Sequence, residues 1–253
     1  MKTLRPLFLL TAMLLVVGLA CGLSGGGDTP PPPVQQPEEP QAPVQQADPP
    51  TDAPPPPTEE PVQSQSMYFT EEFDQDPGWD YFLTFGDEEK ISVEFDNSLM
   101  VFDLEDVSIY SYYLYPGQEY DDVRIDIRAE NRGKNNNNVS LICRASTEGW
   151  YEFSTEGGGL WYLYAVTINE EKKAVYTRLG NGGAQSLKQG KEVNEYSMIC
   201  EGREITMLIN DKELITVKDS EYDFREGQVG FNISSLNVTP IIVEVDWFKV
   251  SEP

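Results

Sequence analysis

Short runs rich in strand-forming residues fill the stretch from Met67 to Pro253, and this pattern restricts the possible fold more than any other feature. In one of them Val123, Ile125 and Ile127 alternate with charged residues, as in a strand with one buried and one wet face. Turn residues separate the runs, and none has the 3.6-residue period of a helix. The strand-like runs include Ser98–Leu104, Asp122–Glu130, Val139–Ala145, Leu160–Ile168, Arg203–Asn210 and Pro240–Val250.

Many strands without crossover helices predict an all-β chain folded as an antiparallel sandwich, because parallel strands need long connections. The run Leu208–Val217 predicts a hairpin in which Asn210, Asp211 and Lys212 turn between two apolar arms. The stretch 67–253 is long enough for one domain with a sizeable core. Three polar or glycine-rich stretches are expected to be loops, namely Asn135–Asn138, Glu156–Gly159 and Gly180–Gly183.

The N-terminus begins with two positive charges, continues with the apolar run Leu7–Leu19 and places Ala20 before Cys21. This order resembles a bacterial lipoprotein signal peptide of residues 1–20. The resemblance implies cleavage before Cys21, lipid on its thiol, export, and anchoring to the cell membrane with the protein facing outward. The alternative is an ordinary secreted protein in which Cys21 has no special role.

Residues 21–66 contain most of the 19 prolines of the chain and offer little apolar surface to bury. Such a composition cannot offset the entropy of ordering, which predicts a disordered tether. Proline tracts favour an extended path of about 3.1 Å per residue, so the tether is expected to act as a semi-rigid spacer. A proline-rich docking ligand is the alternative.

The charge balance is strongly acidic, with 43 Asp and Glu against 18 Lys and Arg. It argues against nucleic acid and anionic lipid surfaces as partners, and it suits solubility after export or the handling of cations. The chain contains no histidine, which excludes Ser-His-Asp and Cys-His catalysis and imidazole-bound metals. Carboxylate chemistry, above all glycoside hydrolysis, is the catalytic option that remains.

Cys143 and Cys200 both lie in predicted strands of an exported domain. This setting favours a disulfide that joins neighbouring strands, and two buried free thiols are the alternative. A bond between them would close a long loop and add about 4 kcal/mol of stability in the chain-entropy model.

Several stretches resemble concanavalin A-like lectin/glucanase jelly-roll domains, namely Cys143–Phe153, Tyr196–Leu214, Glu226–Phe231 and Val245–Val250. More narrowly, they are similar to exported bacterial domains related to the laminin-G-like, 3-keto-disaccharide hydrolase and family 16 glycoside hydrolase groups. The segment Glu72–Phe82 matches the first strand of those domains. The resemblance implies a jelly-roll sandwich of two curved antiparallel sheets, with a concave face that often holds glycan.

Family 16 glucanases carry ExDxxE or ExDxE along one strand, and none of the predicted strands carries either complete motif. The segment that begins at Glu244 starts like the first motif, but Lys249 occupies the position of its last acid. This departure favours a non-catalytic module that binds carbohydrate or another extracellular polymer. An enzyme that uses another carboxylate pair and a structural envelope or adhesion lipoprotein are the alternatives.

Jelly rolls of this kind often hold a structural calcium ion beside their first and last strands. The resemblance implies Asp246 of the last strand and Asp74 of the first-strand region as ligands. Calcium takes six to eight oxygens, so further ligands would have to complete the site. The alternative is that Asp246 pairs locally.

Tyrosine and tryptophan are concentrated in a few of the predicted strands. Their rings can stack on the apolar faces of sugars, but rings also fill the core of a sandwich. Alternation places Trp161 on the opposite face from Tyr162 and Tyr164, and the sequence does not say which face is outside. The candidate ligand-binding residues are Tyr112, Tyr115, Trp150, Trp161, Tyr162 and Tyr164.

Overall fold

The structure, a computed structural model, describes residues 66–253. The expected signal peptide, Cys21 and the proline-rich tether lie outside these residues. Within 66–253, no helix combines the length and the apolar character needed to cross a bilayer.

Two antiparallel sheets make up the described part of the chain, which confirms the all-β sandwich. Sheet A contains eight strands: β1 (Phe69–Glu71), β3 (Ile91–Phe95), β4 (Met100–Leu104), β6 (Val123–Asn131), β11 (Val193–Glu201), β12 (Glu204–Ile209), β13 (Lys212–Lys218) and β15 (Ile241–Ser251). Their spatial order is β13-β12-β11-β6-β15-β4-β3, with β1 also paired to β15.

Sheet B contains seven strands and carries the site described below. They are β2 (Asp80–Phe85), β5 (Tyr110–Leu114), β7 (Asn137–Ala145), β8 (Gly149–Glu156), β9 (Leu160–Ile168), β10 (Ala174–Gly183) and β14 (Gln228–Ser235). Their spatial order is β10-β9-β8-β7-β14-β5-β2. One short 3-10 helix, Glu88–Lys90, precedes β3.

The predicted runs correspond to β4, β6, β7, β9, β12 and β15, with shifts of one or two residues at their ends. The predicted hairpin joins β12 to β13, and its two turn residues Asn210 and Asp211 have φ values of 50° and 60°. Type I′ hairpin turns need positive φ at both central positions, which Asn and Asp adopt more readily than most residues.

Three local expectations are wrong. Gly180–Gly183 is the end of β10 rather than a loop, and a Cβ on Gly182 would lie 2.8 Å from the Trp161 ring. The glycines therefore allow an edge strand to lie against an indole. Asn137 and Asn138 are buried strand residues of β7 rather than part of a loop tip.

The third wrong expectation concerns Glu72–Phe82, of which only the last three residues belong to a strand. The rest connects β1 to β2, and it supplies Phe73 and Trp79 to the core between the sheets. The Trp79 ring lies 5.9 Å from that of Phe231 and 5.2 Å from that of Phe248. This connection therefore contributes apolar packing although it is not a strand.

The predicted disulfide is present between Cys143 of β7 and Cys200 of β11, with Cα atoms 6.8 Å apart. These strands belong to different sheets, so the bond crosses the core instead of joining neighbouring strands. Both cysteines are fully buried.

Arg144, the residue after Cys143, is buried and has a φ of 56°. Its guanidinium donates hydrogen bonds to the carbonyl oxygens of Asp121, Gly202 and Phe224 at 2.8–3.1 Å. One side chain thus holds three chain connections together at this end of the sandwich.

Candidate functional site

The outer face of sheet B, which points away from sheet A, carries a second apolar cluster. No third layer of the described chain covers this cluster, so neighbouring aromatic side chains on the same face shield it from water. Its buried members are Tyr112, Leu114, Ile142, Ala145, Trp150 and Val166.

A strip of polar residues crosses the same face next to this cluster. Strand register places Ser234, Asn138 and Glu156 side by side on β14, β7 and β8. The next row along these strands consists of Asn232, Ser140, Ser154 and, on β9, Tyr162. The middle of the face is therefore a polar floor between tyrosines on both sides.

The outer face is concave, as a single contact demonstrates. The hydroxyl groups of Tyr112 on β5 and Tyr176 on β10 are 2.6 Å apart. In a flat sheet these strands would lie about 24 Å apart, beyond the reach of two tyrosine side chains. Sheet B must curl toward its outer side, and this confirms the curvature that the resemblance implied.

Glu152 lies beneath this contact and is almost completely buried. Its Oε2 accepts hydrogen bonds from the Tyr112 hydroxyl at 3.0 Å and from Trp150 Nε1 at 3.1 Å. Burial raises the pKa of Glu152, and these donors, together with the nearby Ser140 hydroxyl, oppose that effect only in part. The carboxylate is therefore held in a fixed position by two aromatic side chains.

A cavity of about 170 Å³ opens beside Glu152 over the polar floor. Two of its tyrosines, Tyr162 and Tyr164, stack at 5.8 Å, and Tyr176 stands perpendicular to Tyr164 at the same distance. Burial, followed by the nearby Glu152 and Glu156, raises the pKa of Tyr110. The lining consists of Tyr110, Asn138, Glu152, Ser154, Glu156, Tyr162, Tyr164, Tyr176 and Leu236.

A second, more open groove adjoins the cavity and shares Tyr110 and Tyr176 with it. Its volume is about 560 Å³, and its other lining residues are Thr84, Phe85, Lys173 and Ala174. Phe85 is 64% exposed, which is unusual for a large apolar residue. The two recesses form a continuous track across the outer face.

Four of the six predicted ligand-binding residues come together on this face. Tyr162 and Tyr164 line the cavity, while Tyr112 and Trp150 do not line it but donate hydrogen bonds to Glu152, which does. The first two present surface to a ligand, and the other two support the site from below.

Tyr115 and Trp161 lie on the opposite face, and the structure removes them from the candidate site. Trp161 is part of the core between the sheets, and Tyr115 packs against Phe69 at 4.5 Å and Trp79 at 5.7 Å. Strand alternation turns Trp161 of β9 inward while its neighbour Tyr162 points outward, and Tyr115 follows directly after the end of β5.

The two predicted calcium ligands have partners within the protein. Asp246 Oδ2 lies 2.8 Å from Arg128 Nε, and Asp74 Oδ1 accepts a hydrogen bond from the Ser98 hydroxyl at 2.5 Å. In the part of the chain that the structure describes, no three His, Cys, Asp or Glu residues are grouped as metal ligands. The guanidinium beside Asp246 makes this pair a poor fit for calcium, and the calcium site stays a prediction.

Glu152 and Glu156 were not singled out from the sequence, although β8 contains a detectable pattern. The two glutamates have the spacing of the outer acids in ExDxE, with Ser154 in the place of the aspartate. A search for the complete motif misses this pair. Asn138 and Tyr176 carry no comparable pattern, because only the folded sheet brings them to the cavity.

Comparisons with known proteins agree with this architecture. No protein-family model matches the chain, and no curated protein is significantly similar to it. Among solved structures, a Bacillus subtilis protein of unknown function with a galectin-like fold has a TM-score of 0.55 at 10% identity. The match covers 74% of this chain and 98% of that one.

Two glucanase-type structures are similarly related. The GH16 protein of the Bacteroides ovatus mixed linkage glucan PUL, in complex with a G4G4G3G product, has a TM-score of 0.53 at 11% identity, covering 72% of this chain and 99% of that one. A prokaryotic β-1,3-1,4-glucanase (lichenase) from a mouse hindgut metagenome has a TM-score of 0.52 at 12% identity, covering 74% and 99%. The described residues therefore have the concanavalin A-like, glucanase-type jelly-roll fold.

Proposed function

We propose that the domain is a binding module that recognises carbohydrate or another extracellular polymer on the concave face of sheet B. The supporting observation is the polar floor of this face, which is flanked by tyrosines. Sugar rings present hydroxyl groups at their edges and apolar C–H groups on their faces. Polar residues such as Ser154 and Asn138 suit the former, and the rings of Tyr162 and Tyr164 suit the latter.

The track formed by the cavity and the adjoining groove favours an extended ligand over a single small molecule. Because Tyr110 and Tyr176 line both recesses, one chain molecule could occupy the two in succession. On this proposal, lipid on Cys21 and the proline-rich tether hold the domain outside the cell membrane, where such polymers occur.

The proposal is tested by titration calorimetry of the mature protein against a broad panel of soluble polysaccharides. We expect Tyr164→Ala to weaken binding about tenfold or more, since buried aromatic anchors dominate such contacts. Val175→Ala is the matched control, because Val175 is exposed and next to Tyr176 but is not part of the track. Absence of binding to every member of the panel, or equal losses in both variants, would contradict the proposal.

A glycoside hydrolase is the second candidate, since Glu152 and Glu156 line one cavity and burial raises the pKa of Glu152, as a general acid requires. Four residues of strand separate their Cα atoms by about 13 Å. Catalysis needs carboxylates about 5–10 Å apart, so the two side chains would have to lean together. Glu152 Oε2 instead points to Trp150, on the side away from Glu156.

Release of reducing ends from polysaccharide decides between the two candidates. A hydrolase loses this activity in both Glu152→Gln and Glu156→Gln, whereas a binding module releases none in any variant. Product release by the unmodified protein would therefore replace the binding proposal with the enzymatic one.

A further inference from the structure

The lining of the cavity also constrains the charge of the ligand. We propose that the cavity binds a protonated amino group, and hence that the recognised polymer contains amino sugars with free amines. This inference rests on the proposed function, because it specifies the class of glycan that the same face would bind.

The charged groups of the cavity are of one sign. Glu152 and Glu156 line it, and among the described residues neither lysine nor arginine does. Arg178 is exposed near Tyr162 and Tyr164, and Lys173 belongs to the adjoining groove. An ammonium group entering the cavity meets carboxylates at close range, whereas a uronate or a sulfate is repelled.

The aromatic walls favour the same ligand. Tyr162 and Tyr164 lie with their planes within 18° of each other, and Tyr176 meets Tyr164 at 86°, so the rings form a corner. The faces of aromatic rings attract cations, and corners of this kind surround ammonium groups in many binding sites. Burial and then the negative charge of Glu156 raise the pKa of Tyr162, and the positive charge of Arg178 opposes this only in part.

An unpaired hydrogen-bond acceptor provides an independent indication. Asn138 is only 5% exposed and lines the cavity, and its Nδ2 donates to the Ser154 hydroxyl at 2.6 Å. Its Oδ1 has no hydrogen-bond partner in the protein. A buried acceptor without a donor is costly, and an ammonium group brings three donors where an acetamide brings one.

The experiment compares three matched oligosaccharides of equal length, made of β-1,4-linked glucosamine, N-acetylglucosamine or glucose. Calorimetry is performed at constant ionic strength and at a pH at which the amine is protonated. We expect the free-amine form to bind about tenfold more tightly than the other two. Equal affinity for all three would overturn the amine inference but leave the proposed function in place, whereas failure of the whole polysaccharide panel would remove the proposed function.

Charge specificity is tested with Glu156→Gln, whose fold is verified by thermal melting. We expect it to weaken binding of the free-amine form about fivefold to tenfold and to leave the other two forms unchanged. Glu94→Gln is the matched control, because it removes the same charge from an exposed position on sheet A. Equal losses in both variants would show that the acidic protein merely attracts cations at long range, and this would overturn the inference.

Discussion

The disulfide between the two sheets allows a quantitative test of how this sandwich is stabilised. The perturbation is the double variant Cys143→Ala/Cys200→Ala. The bond joins residues separated by 57 positions, and closing such a loop in the unfolded chain corresponds to about 4 kcal/mol. For a domain of this size, we expect the melting temperature to fall by about 8–16 °C.

The single variants Cys143→Ala and Cys200→Ala are the matched controls, because each breaks the same bond. We expect each to lose nearly as much stability as the double variant, so that the effects are far from additive. The assay is thermal unfolding followed by tryptophan fluorescence under non-reducing conditions. Additive effects of the two single changes, or a double variant as stable as the parent, would refute the reasoning.

Three further predictions concern individual groups. Burial raises the pKa of Glu152, so above about pH 4.3 the native protein retains a proton that the unfolded chain has released. The free energy of unfolding therefore falls as pH rises. Glu152→Gln should abolish this fall, measured by urea denaturation at pH 4–7. Burial alone would raise the pKa of Asp219, but hydrogen bonds from the Tyr151 hydroxyl and three amides hold it below its usual value. Asp219→Asn should therefore destabilise the protein at pH 7, with the difference from the parent shrinking as pH falls below about 4. Cys21→Ser should eliminate palmitate labelling, and persistent labelling would contradict the lipid anchor.

The fold could be predicted because its determinants are local. Alternation in Asp122–Glu130 shows which residues point inward, and the Asn210-Asp211 pair specifies a tight turn. The face of that strand expected to be exposed nevertheless contains a buried residue, because Asp126 lies between Arg124 and the Ser197 hydroxyl. Local patterns therefore predict the face of a residue better than its exposure.

The candidate site could be predicted only in part, because it depends on which strands are neighbours and on how strongly the sheet curls. Tyr112 and Tyr176 are 64 residues apart in sequence and five strands apart in the sheet, yet their hydroxyl groups meet. The periodicity of the sequence does not reveal which strands become neighbours or how strongly the sheet curls. The same limit explains why the aromatic runs suggested Trp161, which fills the core, and left out Tyr110, which lines the cavity.

Strand β7 connects two parts of the domain with different tasks. Asn138 at one end lies in the cavity, and Arg144, about 20 Å further along, fastens three chain connections beside the disulfide. Substitutions near Asn138 leave these fastenings untouched. Descendants of this sequence can therefore change their ligand preference at the Asn138 end of β7 while keeping the stabilising contacts at the Arg144 end.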